Sequence, residues 1–85
     1  MAADNLIIDR PAQKQLNKFP VTIHKRIVQA LRKIKSNPLI GVKLHGELGN
    51  YFKLRVGDYR IVYSFNIKTN SIEIVKIEHR QGVYK

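Results

Sequence analysis

Apolar residues recur at Ile23, Ile27, Leu31 and Ile34 within "VTIHKRIVQALRKIKS", the spacing of a single buried stripe along an α-helix. Lys25, Arg26, Arg32, Lys33 and Lys35 fill its other faces. Upstream, "RPAQKQLNKF" sets Ala12, Leu16 and Phe19 at the same period, with Asp9 placed to cap the helix and Pro11 tolerated in its first turn. Pro20 ends this helix and opens the next. Pro38 stops the second by pushing Asn37 out of helical geometry. Leu6-Ile7-Ile8 reads as a short strand before both helices. Beyond them, "LIGVKLHGELGN" is a glycine-punctuated connection. Alternation then takes over in three runs, residues 51–56, 59–66 and 72–79, and the closing "GVYK" reads as a short further strand or a tail. The order β-α-α-β-β-β predicts one α+β domain over residues 1–85, an antiparallel sheet with two N-terminal helices on one face.

Gly57-Asp58 fits a two-residue hairpin loop, glycine supplying the positive φ of a type II′ turn. The turn fixes a register: Val56 with Tyr59, Arg55 with Arg60, Leu54 with Ile61, Lys53 with Val62, Phe52 with Tyr63. Phe52, Leu54, Val56, Tyr59, Ile61 and Tyr63 then share the core face. Lys53, Arg55 and Arg60 share the other, with the two arginines opposed, although like charges across an antiparallel pair cost roughly 0.2–1 kcal/mol. In the third run Val75 and Ile77 are expected over the core beside Tyr63 and Phe65. Lys76 and Arg80 then join the Arg60 face if the "KTNS" loop has an odd length. Glu78 is the one acid expected there, and His79 is expected to turn toward the core. An ordinary solvated sheet face explains any one of these cations, but the convergence of Arg55, Arg60 and Arg80 against repulsion favours an anion site.

Charge sharpens this picture. Sixteen Lys and Arg against six Asp and Glu give +10 in 85 residues, an excess that suits a polyanionic partner. No cysteine is present, which removes disulfides and thiolate zinc sites, and three dispersed histidines suggest no metal centre. No Walker or dinucleotide fingerprint occurs among the glycines, so no cofactor is expected. No apolar run approaches the roughly 18–20 residues of a spanning helix, and "MAADNLIIDR" lacks a secretory apolar core; a cytoplasmic protein is expected.

"KLRVGDYRIVY" and "IEHRQGVYK", with "KLHGELGNYFKLRVGDYRIVY" before them and an "HRxxVY"-like ending, resemble the RelE family of the RelE/ParE toxin–antitoxin superfamily over nearly the whole chain. The resemblance implies a metal-independent, ribosome-dependent endoribonuclease that cleaves messenger RNA in the decoding site. In that chemistry the RNA 2′-hydroxyl attacks the neighbouring phosphate and leaves a 2′,3′-cyclic phosphate. The family's catalytic positions fall on Lys53, Arg55, Arg60, Arg80 and Tyr84. Some relatives carry a lysine where this chain has Tyr51.

The residues suit that chemistry. Fixed guanidiniums stabilise charge building on phosphoryl oxygens, and Lys53 among arginines is expected to have a lowered pKa that fits it to accept the 2′-hydroxyl proton. Glu78, Tyr84 and His79 stand as rivals for that role, although the pairing points His79 toward the core face. Tyr84 and Tyr51 each offer a ring for stacking on a base or a hydroxyl, and Tyr51, Lys76 and Lys43 are expected to hold nucleic acid. The resemblance also implies a heteromeric complex with a RelB-like antitoxin, expected to be acidic and amphipathic and to fold on binding. Two other readings stay open: a ParE-like inhibitor of DNA gyrase, and a non-catalytic module that binds nucleic acid through the same basic face.

Overall fold

A computed structural model describes residues 2–44 and 50–79. Its elements run β1 (Asn5–Ile8), α1 (Arg10–Lys18), α2 (Val21–Ser36), β2 (Val42–Lys43), β3 (Tyr51–Val56), β4 (Tyr59–Asn66) and β5 (Ser71–His79). The strands form one sheet in the order β1-β5-β4-β3-β2. This is the expected α+β architecture with two differences. The β1–β5 pair is parallel, Leu6 lying opposite Ile72, so the sheet is mixed rather than antiparallel. The glycine-punctuated connection contributes a two-residue edge strand, β2, whose Val42 and Lys43 pair with Lys53 and Phe52.

Both helices bury their stripes against one face of the sheet. Ala12 and Leu16 of α1, and Ile27, Ala30, Leu31 and Ile34 of α2, meet Phe52, Ile61, Tyr63, Ile72, Ile74 and Ile77. Asp9 stands at the α1 N-cap but its side chain makes no capping bond. Its carboxyl faces Glu73 instead; a hydrogen bond and the negative charge from Asp9 raise the Glu73 pKa from its ordinary value. Asn37 closes α2 outside helical geometry, as the following proline requires.

The third hairpin strand departs from simple alternation. Asn66 pairs with Ser71, so the loop between β4 and β5 has four residues, 67–70, an even number. Asn66 Oδ1 accepts from the Lys68 and Thr69 amides, and Asn70 takes the left-handed region at φ 52°, which asparagine tolerates. An irregularity follows between Val62 and Tyr63: Tyr63 pairs with Ile74 but Val62 with Lys76. Val75 is the extra residue of a β-bulge. The core therefore receives Ile72, Ile74 and Ile77 rather than Val75 and Ile77, and the bulge supplies the odd residue that the loop does not. Lys76 reaches the Arg60 face all the same.

Tyr63 is fully buried, yet its hydroxyl is satisfied: it donates to the Pro38 carbonyl at 2.8 Å and accepts from the Gly41 amide at 2.9 Å. Gly41 is required there, since a Cβ would stand 2.7 Å from that hydroxyl and 2.8 Å from the Lys53 carbonyl oxygen. The arrangement hangs the α2–β2 connection from the centre of the core.

Two outcomes are expected. Tyr63→Phe strands the Gly41 amide and the Pro38 carbonyl, and urea unfolding should show a loss of roughly 1–3 kcal/mol. Burial raises the Tyr63 pKa, so its contribution is intact below the ordinary phenol pKa and drains as pH rises through the folded value; the variant should lack that part of the alkaline loss. Conversely, the raised Glu73 pKa is a penalty on the folded state once the carboxyl ionises. Glu73→Gln should melt above the wild type at neutral pH, and the advantage should vanish as pH falls below the carboxylate range.

Candidate anion-binding site

The site is assembled by the hairpin turn. Gly57 adopts φ +60°, and Asp58 is not among the residues of positive φ, as a type II′ turn requires. Every expected pair between β3 and β4 follows, Arg55 opposite Arg60 among them, with Tyr51 opposite Ser64 as the sixth. Side chains that point away from the helices form three rows across the sheet. Arg55, Arg60 and Glu78 make the first; Val42, Lys53, Val62 and Lys76 the second; Tyr51, Ser64, Glu73 and Ile7 the third.

Lys53, Arg55 and Arg60 line an open concavity of about 380 Å³, bounded by Val42 of the edge strand and by the Gly57-Asp58 turn. Val42 is 63% exposed and gives this basic hollow one apolar wall. The Arg55 Nε donates to the Gly57 carbonyl at 3.3 Å, which folds the side chain back along its own turn. Arg60 Nη2 lies 3.5 Å from Glu78 Oε2, and Lys76 Nζ lies 3.6 Å from Glu78 Oε1. One carboxylate thus serves two cations, at distances long for ion pairs. The Arg60 Nε is buried and meets no acceptor among the described residues. The guanidinium is positioned without being saturated.

The remaining expected site residues divide. Lys76 lies on the basic face, one row from Arg60. Tyr51 lies on that face as well, at its far end. Lys43 pairs with Phe52 and so points to the other side of the sheet from Lys53; the register does not bring it to the group. Arg80 and Tyr84 lie outside the described residues. His79 turns toward the core side, its ring edge-on to Tyr59 at 4.7 Å, while Phe19 meets Tyr59 at 4.8 Å. Glu78 is expected to be too little counter-charge for the face; within the described residues one of its ion pairs tethers Arg60 and the other holds Lys76.

Residues 6–84 match the family described as the ParE toxin of the type II toxin–antitoxin system, parDE. The chain belongs to the RelE/ParE superfamily of type II toxins. The toxin is 30% identical over 76 residues to Toxin RelG of Mycobacterium tuberculosis, covering 87% of each chain. Its fold superposes on a chain of the RelBE2 toxin–antitoxin complex of Mycobacterium tuberculosis with a TM-score of 0.83 and 28% identity, over 94% of both chains. A chain of the archaeal RelE–RelB complex from Pyrococcus horikoshii gives 0.79 and 28%, over 94% of the toxin and 97% of that chain.

The shared tether makes a checkable claim. Glu78→Gln leaves Arg60 and Lys76 without their counter-ion. An anionic oligonucleotide should then bind about two- to fivefold tighter at low salt, the worth of a partly exposed ion pair, and with a steeper salt dependence. Fluorescence anisotropy titrations over a range of salt concentrations measure both, and unchanged affinity would show that Glu78 does not restrain these cations.

Proposed function

We propose that the toxin is a ribosome-dependent endoribonuclease that cleaves messenger RNA in the decoding site and is neutralised by a RelB-like antitoxin in a heteromeric complex. The observation that carries this reading is the opposition of Arg55 and Arg60, beside Lys53, over an open hollow where the three cations outnumber the nearby carboxylates of Glu78 and Asp58. Such a face is costly to a fold and suited to a phosphodiester. RelE–RelB complexes among the structural relatives support the partner.

The reaction needs little from the protein beyond charge and one proton acceptor. The 2′-oxygen attacks phosphorus in line, its proton passing to a base, and the bond to the 5′-oxygen breaks as that oxygen takes up a proton. The product ends are a 2′,3′-cyclic phosphate and a 5′-hydroxyl. Negative charge grows on the non-bridging oxygens, where Arg55 and Arg60 would stand as fixed donors. Lys53, two residues along β3 from Arg55, is the proposed acceptor of the 2′-proton. Glu78 is already shared between Arg60 and Lys76, which makes it the weaker choice of base. Arg80 and Tyr84 complete the proposed catalytic group. The open hollow, with Val42 as its apolar wall, suits a phosphate already held in place by a larger particle.

The test is primer extension on ribosome-bound message. Arg60→Ala should abolish cleavage while changing stability by less than about 1 kcal/mol, because it removes a partly exposed ion pair together with a cross-strand repulsion. Lys53→Ala should lose rate, and Lys53→Arg should fail to restore it if Lys53 is the base, since arginine stays charged. Full rescue by arginine would leave Lys53 a phosphate contact only. Intact message together with blocked supercoiling by DNA gyrase would favour the reading for which the matched family is named.

A further inference from the structure

The basic hollow does not use the whole outer face. Next to it, about 7 Å along β3 from Lys53 by the rise of a strand, lies a second concavity of about 720 Å³ whose walls include Tyr51, Ser64, Asn66 and Lys68. That volume is within the range of about 300–1,000 Å³ typical of small-ligand sites. We propose that Tyr51, Ser64, Asn66 and Lys68 form a nucleobase subsite holding one of the nucleotides that flank the cleaved phosphate. The proposal rests on the nuclease reading and assigns the part of the substrate that the arginines do not touch.

Three features point to a base rather than a further phosphate. Tyr51 is half-buried beside Ser64, its cross-strand partner, and lines the pocket; unpaired bases stack on such rings. The Asn66 amide is oriented in advance, because its Oδ1 accepts from the Lys68 amide at 2.9 Å and the Thr69 amide at 3.3 Å. Its Nδ2 remains as a donor, and the Ser64 hydroxyl adds a second. Donors fixed in this way suit a base edge that carries a carbonyl, which every common RNA base except adenine possesses. The charges divide the space. Lys68 stands at one rim, while Ser64 separates the pocket from Glu73 and Asp9 on the β5 side. Phosphates are held near Lys53 and Lys68 and turned away from the carboxylates, which leaves the interior to the uncharged part of a nucleotide.

The experiment uses short single-stranded RNA carrying a 2′-deoxynucleotide at the cleavage position, so that attack is blocked, with one abasic site moved stepwise along it. In the wild type, an abasic site at one flanking position should weaken binding about tenfold, within the roughly 5- to 150-fold worth of stacking one base on an aromatic ring. Adenine at that position should bind more weakly than uracil. Tyr51→Phe should behave like the wild type. Tyr51→Ala, its fold checked by thermal melting, should bind intact RNA as weakly as the wild type binds the abasic RNA, and should lose nothing further from the abasic site. Wild-type affinity in Tyr51→Ala, a flat abasic scan, or absence of RNA binding by the wild type would overturn the subsite. Cleavage of ribosome-bound message is measured in parallel: intact message with the abasic pattern present overturns the nuclease and keeps the subsite, whereas cleavage with a flat scan does the reverse.

Discussion

Val75, the residue without a partner between β4 and β5, decides which side chains meet on both faces of the sheet. Without it, strict alternation from the Asn66–Ser71 pair would turn Lys76 and Glu78 toward the helices and carry Ile77 outward. With it, Ile72, Ile74 and Ile77 all reach the core, and Glu78 arrives opposite Arg60. The apolar core and the charged face are therefore two results of one backbone irregularity. A bulge of this kind re-aims side chains at the expense of ladder hydrogen bonds, and here it sits one row from the basic hollow.

Electrostatics on the outer face runs against folding economy. Arg55 opposes Arg60, Lys53 lies two residues before Arg55, and one carboxylate at 3.5 and 3.6 Å answers two of the cations. On the other side of the same face, Asp9 and Glu73 crowd two acids together, which raises the Glu73 pKa. Interleaving these charges would lower the energy of the isolated protein. Their segregation instead produces a field across the sheet, positive over β3 and negative beside β1, which is the arrangement that gives a polyanion a direction in which to lie.

Much of this was legible in the chain, and the rest was hidden for identifiable reasons. The helix stripe and the six-residue hairpin register rest on local rules, the 3.6-residue period and the positive φ of Gly57, and both appear as expected. The position of Lys76 was reached by way of an odd loop, whereas the extra residue lies in the strand; the spacing of two and then three between Ile72, Ile74 and Ile77 carried that signal. Asp9 has the look of a helix cap, but its carboxyl meets Glu73, a neighbour visible only once β1 lies against β5. The parallel pairing of β1, the edge strand at Val42 and the Tyr63–Gly41 contact are all long-range or brief, and no periodicity announces them. Tyr51 was placed on the basic face by alternation alone, though the pocket beside it depends on the Asn66 turn.

The sheet order also bears on when the molecule becomes itself. β3 and β4 are joined by a two-residue turn and need no help to meet, but β1, which precedes both helices, has among the described residues its one strand neighbour in β5, with Leu6 waiting for Ile72. Contacts of such long separation form late, because the intervening chain must be closed before they repay its entropy. The helices, too, find half of their apolar floor in β5. A chain still emerging during its own synthesis thus carries the two opposed arginines before it carries the strand that fixes them. Maturation is tied to completion of β5, so topology acts as a timer on the charged face.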